Sequence, residues 1–273
     1  MDQRINRMLL LLIAPAAAVF GAFFLLPLAR LAVASLAGPS GAAVYLHVLT
    51  TPRYLVTLLN TIGLSLAVTL MTLVLSGICG VFLTRNRFWG KSILVSLLTF
   101  PLAFPGVVVG FMIILLVGRQ GLVGDLTQRL SSEKVVLAYS ISGLFLGYLY
   151  FSIPRVILTL MAAAEKIDPS LEEAARSLGA SPWRVAKDVI VPALVPGLIS
   201  SGAICFATSM GAFGTAFTLA TNLDVLPIVI YTEFTLLANI TLAAALSILL
   251  GLITWIVLSL ARAASGSTIA AAG

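Results

Sequence analysis

The chain has 273 residues, of which 60% are hydrophobic and only 10% charged, and its mean hydropathy is +1.12. Soluble domains sit near half apolar and about a quarter charged. This much apolar surface cannot be hidden in one water-soluble core of this length, so the chain reads as an all-α integral membrane protein. Its sixteen Lys and Arg against ten Asp and Glu are spread through hydrophobic sequence and form no basic face. That excludes a nucleic-acid reader and leaves the cations as topology signals. Cys79 and Cys205 lie in separate apolar runs away from any His, which argues against a metal site or a disulfide framework.

Charge-free windows predict the membrane helices, because a charged side chain at mid-bilayer costs at least about 2.5 kcal/mol. They fall at residues 8–29, 54–84, 92–118, 135–154, 189–223 and 234–261. Each has room for the roughly 20 apolar residues that cross about 30 Å of hydrocarbon as helix. None shows the polar–apolar alternation of a barrel strand. Six transmembrane helices are therefore expected. Arg4 and Arg7 precede the first window and the alanines at 16–18 imitate a signal-peptide cleavage site. The apolar run continues through Phe20, Phe23, Phe24 and Leu26, too long for a signal core, so an uncleaved span is predicted.

With six spans, one side receives both termini and the loops at 84–91 and 162–188. That side holds ten cations: Arg4, Arg7, Arg85, Arg87, Lys91, Lys166, Arg176, Arg184, Lys187 and Arg262. The other receives Arg30, Arg53, Arg119, Arg129 and Lys134, so both termini are expected in the cytoplasm. On the outer side, residues 121–133 carry Leu122, Leu126 and Leu130 at i, i+4, i+8, the pattern of a short interfacial helix. The apolar run Leu226-Pro227-Ile228-Val229-Ile230-Tyr231 is too short to cross and reads as a second outer element. The small-residue tail, 263–273, is expected to be disordered.

The loop at 162–188 has the most internal design. Asp168-Pro169 is a helix start, an N-cap carboxylate followed by proline at the first helical position. Leu171, Ala174, Ala175 and Leu178 then share one face, Glu172 stands four residues before Arg176, and Gly179 suits a left-handed stop. Ser181-Pro182 opens a second short helix with Trp183, Ala186 and Ile190 on one face, and Pro192 is expected to end the unit. Such a small-residue apolar face suits either a helix resting on lipid headgroups or a docking knob for a partner protein.

Glu173-Ala174-Ala175, three residues, Gly179, nine residues, then Val189-Ile190-Val191-Pro192 resembles the signature EAA-x3-G-x9-I-x-L-P. That signature marks the permease subunits of type I binding-protein-dependent ABC importers, and the resemblance covers residues 54–262, with residues 1–53 as a first helix and outer segment. It implies six helices with a cytoplasmic coupling-helix loop, 162–192, between helices 4 and 5. By resemblance, Glu173, Ala174 and Gly179 contact the ATPase, with Leu171, Ala175 and Leu178 as supporting apolar positions. The implied partners are two ATP-binding cassette subunits, a second permease subunit, identical or paralogous, and an external solute-binding protein, in a bacterial inner membrane. The chain has no Walker A pattern, so ATP and Mg are expected on the partner ATPases and no cofactor on this chain.

Span five is interrupted by Ser200, Ser201, Thr208, Ser209, Thr215, Thr218 and Thr221, with Gly202, Gly211 and Gly214 among them. These residues suit a path lining as well as helix packing. Gly106-x3-Gly110 and Gly143-x3-Gly147 read as packing. The run Met210-Gly211-Ala212-Phe213-Gly214-Thr215 resembles the gate region of related permeases, so Ser209, Met210, Gly211, Phe213, Gly214 and Thr215 are candidate path residues. Related permeases for polyamines and for sulfate or molybdate often carry an acid where this chain has Ala212. Arg155, after Pro154, is read as snorkelling to headgroups, and Asn60, Asn222 and Asn239 as path residues or caps. His47 has no acid or nucleophile beside it in sequence. The expected solute is a polyamine or other small organic compound, with a phosphonate, an inorganic oxyanion or ferric iron as alternatives. An ion-coupled secondary transporter is the rival class, disfavoured because no Asp or Glu lies inside the windows and no repeated halves are visible.

Overall fold

The computed structural model describes residues 12–39, 41–131, 133–219 and 224–265. Among them there is no strand. The helices in chain order are α1 (Leu12–Leu36), α2 (Ala43–Thr50), α3 (Pro52–Arg85), α4 (Lys91–Ala103), α5 (Gly106–Val117), α6 (Leu122–Ser131) and α7 (Ile141–Glu165). They continue as α8 (Pro169–Ser177), α9 (Pro182–Met210), α10 (Phe213–Leu219), α11 (Leu226–Leu236) and α12 (Ile240–Ser265). Six stretches are long and apolar enough to cross a membrane: α1, α3, Gly106–Leu130, α7, α9 and α12. The expected number of spans is met, although charge-bounded windows misplace several ends.

Helix α1 runs on through Arg30, and Arg4, Arg7 and the start of the first window lie outside the described residues. The third window, 92–118, is divided at Phe104-Pro105 into α4 and α5. Both residues are extended there, because proline lacks an N–H and its ring drives the preceding residue out of the helical region. Pro192 does not end the loop unit. The chain instead passes from Pro182–Val185 through a π segment, Ala186–Ile190, straight into Val191–Met210. The wider turn precedes Pro192, whose missing N–H costs nothing at the start of the following α segment. The sixth window does not begin at Phe234. The chain turns at Ala238 (φ 52°), and α12 starts at Ile240, with the Leu242 amide donating to the Asn239 side chain at 3.2 Å. Asn239 is thus a cap. Residues 263–265, placed in the tail by sequence, belong to α12.

Two compact units divide the chain, one from residues 1–55 with 229–251 and one from 56–228 with 252–273. In the first, Glu233 is 2% exposed. The Tyr54 hydroxyl donates to its carboxylate at 3.0 Å and the Asn239 side-chain amide donates at 3.4 Å. This buried acid stands one residue before the sixth charge-free window.

In the second unit α7 is the most enclosed span, 44% of its apolar window being buried against 0% for α1. Leu144, Tyr148, Val156 and Leu160 lie at helical spacing on it. They meet Leu64 and Val68 of α3, Ile113 and Val117 of α5, Cys205 of α9, and Ala216 and Leu219 of α10. Without a hydrophobic driving force between helices in lipid, close approach depends on small residues. A Cβ at Gly110 would stand 2.6 Å from Thr218 Cβ, and one at Gly147 would stand 2.7 Å from Thr215 Cγ2. Gly143 does not share that face; it lies under the carbonyls of Leu137 and Ala138.

Candidate functional site

The loop helix α8 is built as its sequence dictates. Asp168 caps it, the carboxylate accepting from the Ser170 amide at 2.9 Å, and those hydrogen bonds from Ser170 hold its pKa below the usual value. At the other end Gly179 has φ 84°, a conformation that L side chains resist. Its amide donates to Arg176 O at 2.9 Å and that of Ala180 to Ala175 O at 3.0 Å, closing the last turn.

Most of the expected docking residues are exposed, although Leu171 also borders a groove formed with Ala163 and Pro196. Glu173, Ala174 and Gly179 are exposed, Ala175 is half-buried, and Leu171 and Leu178 are 53% and 90% exposed. Trp183 follows at 76%, while Ile190 packs inward on Ala164, Ile167 and Leu194, so Trp183 and Ile190 do not share a face. Exposed large apolar side chains beside charged ones are a sign of an interaction surface.

On the opposite face, Glu172 ties α8 to the end of α3. Glu172 is 6% exposed. Its Oε1 lies 2.7 Å from the Arg85 guanidinium at the end of α3, and its Oε2 lies 3.7 Å from Arg176. Arg85 also donates to the Ile167 carbonyl at 3.2 Å. The i, i+4 pair with Arg176 is present, but it is the longer of the two. Arg85 is 87 positions from Glu172, so no local spacing could have shown the stronger partner.

The path candidates divide. A cavity of about 460 Å³ is bounded by α4, the start of α5, α7 and the α9–α10 junction; Gly211, Ala212, Gly214 and Thr215 line it together with Phe151, Arg155 and Thr208. Its size falls within the range of small-molecule sites. Ser209 and Met210 are fully buried and Phe213, part-exposed, packs its ring tilted against Phe217 with centroids 5.2 Å apart; none of the three is on the cavity wall. Most span-five hydroxyls are tied to carbonyls. Ser201 donates to Gly197 O, Thr208 to Cys205 O, Thr215 to Gly106 O and Thr218 to Gly214 O, at 2.7, 3.0, 3.0 and 3.0 Å. Thr221 and Asn222 lie outside the described residues. The junction at Gly211-Ala212 breaks the helix, and the buried Tyr148 hydroxyl donates to the Ala212 carbonyl there at 2.8 Å.

Arg155 lines the same cavity. The fourth window stops at Pro154 only because the next residue is charged, whereas α7 continues to Glu165. Ten residues of helix, about 15 Å, separate Arg155 from that end, and the residue lines the cavity.

Six helices long and apolar enough to cross a membrane, a cavity inside one unit and a capped helix with an exposed apolar face are what a subunit of a membrane transporter requires. The chain belongs to the family of binding-protein-dependent transport system inner membrane components, whose model matches residues 76–266. It is similar to the molybdenum transport system permease protein ModB of Escherichia coli (strain K12), 34% identical over 180 residues, covering 64% of this chain and 76% of the relative. The sulfate transport system permease protein CysT of Escherichia coli (strain K12) is 34% identical over 203 residues, 73% of this chain and 70% of the relative. Among solved structures, a bacterial alginate ABC transporter in complex with alginate pentasaccharide-bound periplasmic protein superposes with a TM-score of 0.82 over 98% of this chain and 96% of the matched one. At 17% identity that likeness shows the fold. The protein is a multi-pass, non-catalytic ABC importer permease that works with ATPase subunits and a solute-binding protein.

Proposed function

We propose that this chain forms half of the translocation path of an importer for a small oxyanion, paired with a second permease subunit and driven by two ATPase subunits. Residues 54–262 make the permease core, both termini face the cytoplasm, and ATP and Mg are held by the partner ATPases. The observation that carries the reading is the outward face of α8: Leu171, Glu173, Ala174, Leu178 and Gly179 stand free of the chain's own core. Ala175 supports that face. A helix capped by Asp168, stopped by Gly179 and held by Arg85 is stiff enough to pass ATPase closure to the spans on either side. Gly211, Gly214 and Thr215 form the path wall, with Ser209, Met210 and Phe213 behind or beside it. The relatives named for molybdenum and sulfate support an oxyanion ahead of the polyamine favoured by sequence alone.

The test is uptake of labelled sulfate and molybdate into vesicles holding the chain with its companion permease and ATPase, in the presence of the binding protein. Uptake should require ATP inside the vesicle's ATPase compartment and survive collapse of the ion gradient. Uptake that persists without ATPase and stops with the gradient would make the protein a secondary transporter.

A further inference from the structure

We propose that Arg155 is the anion contact inside the membrane path, a transit subsite whose guanidinium takes the charge of a small oxyanion as it crosses the cavity. The inference rests on the oxyanion-importer reading and gives that reading its recognition chemistry.

Three observations converge on it. Arg155 stands inside the apolar helix α7, about 15 Å of helix from its nearer end, and lines the cavity wall. A cation on a membrane-spanning helix that faces a cavity points to a solute pathway unless a protein acid neutralises it. No ion pair or side-chain hydrogen bond engages its guanidinium among the described residues, and no Asp or Glu lines the cavity. Finally, the other polar side chains on the wall are spent. Thr208 and Thr215 already donate their hydroxyl hydrogens to Cys205 O and Gly106 O. Arg155 is therefore the wall side chain with N–H groups left to give, five donors in a planar fork that matches the paired oxygens of sulfate, molybdate or a phosphonate. A polyamine would meet a like charge at the same point.

The position also suits transit better than storage. One cation facing a cavity whose remaining wall is mostly apolar and small-residue offers attraction without a closed cage. Conduction needs binding that is favourable enough to admit the anion and weak enough to release it. The tight, specific capture then belongs to the external binding protein.

The experiment uses the assembled complex in proteoliposomes, with sulfate and molybdate as probes and Arg155→Gln, Arg155→Lys and Arg155→Glu as variants. Membrane amounts, binding-protein-stimulated ATP hydrolysis and uptake are read together. Arg155→Gln should lower uptake about tenfold or more while stimulated hydrolysis continues, Arg155→Lys should recover a measurable part of it, and Arg155→Glu should abolish it. Unchanged uptake in Arg155→Gln overturns the proposal. So does equal loss of uptake and stimulated hydrolysis in both Arg155→Gln and Arg155→Lys, which would make the residue structural. If the wild-type complex imports neither oxyanion but its hydrolysis is stimulated by a cationic solute, the oxyanion reading fails and takes the subsite with it. Absence of any ATPase dependence would overturn the importer reading itself, and with it the subsite.

Discussion

The carboxylate of Glu172 and the guanidinium of Arg85 meet at 2.7 Å, joining the loop helix α8 to the end of α3. The pair is mostly enclosed, the side chains being 8% and 22% exposed. Removing one partner leaves Arg85 with only the Ile167 carbonyl, or Glu172 with only the longer contact to Arg176, a cost of about 2 kcal/mol at such a site. Arg85→Ala or Glu172→Ala should therefore loosen α8, raise proteolysis around residues 166–181 and lower transport, with the chain still inserted. The exchange Arg85→Glu with Glu172→Arg should restore part of the activity. Full transport in both single variants would show that the pair does not position α8.

Gly179 supplies the second prediction. At φ 84° a β-branched residue is strained by about 1–2 kcal/mol, and proline, locked near −65°, cannot adopt the conformation. Gly179→Pro should abolish uptake at normal membrane levels, as should Glu173→Lys, which reverses charge on the exposed face without touching the fold. Co-purification of the ATPase subunit measures the loss directly. Wild-type uptake and ATPase recovery in both variants would remove α8 from coupling.

At the α9–α10 junction the expected effects differ by residue. A Cβ on Gly214 would stand 3.0 Å from the Val107 amide nitrogen and 3.3 Å from the Gly106 carbonyl carbon, so Gly214→Leu presses on the α5 backbone. It should lower both thermal stability and uptake. Phe213 and Phe217 are 37% and 50% exposed, an aromatic pair turned outward from this chain. Phe213→Ala should keep stability and raise ATP hydrolysis in the absence of binding protein, by loosening the resting state. Unchanged basal and stimulated hydrolysis would leave Phe213 as packing.

Topology is tested by labelling. Gln128 is exposed on α6, whose Leu122, Leu126 and Leu130 are 73%, 58% and 79% exposed, as an interfacial helix requires. A cysteine placed at Gln128 should react with an impermeant reagent from outside, and a reporter fused after Arg262 should be active in the cytoplasm. The opposite pattern would invert the chain.

The spans, the cap at Asp168 and the stop at Gly179 were legible in sequence because each rests on local chemistry: hydropathy over one crossing, a carboxylate before a proline, a glycine after a helix. What was not legible came from charge used as a ruler. Treating every cation as a boundary cut α7 at Pro154, although the helix continues to Glu165 and Arg155 lines the cavity wall. The same rule passed over Glu233, buried one residue outside a window. The partners of Glu172 and the wall of the cavity depend on contacts between distant helices. No local pattern marks Arg85 as the partner of Glu172, or Thr215 as packed against Gly106 and Gly147 while it lines the cavity.

The outward face of α8 has a consequence for the life of the subunit before assembly. Leu171, Leu178 and Trp183 stay largely exposed among the described residues, and a partner docked on α8 would cover them. An unassembled copy would then carry its own mark of incompleteness. Partner binding stabilises it by mass action, and a shortage of ATPase should shorten its half-life. Subunit stoichiometry in the membrane would then be set by turnover of orphan copies as much as by their rates of synthesis.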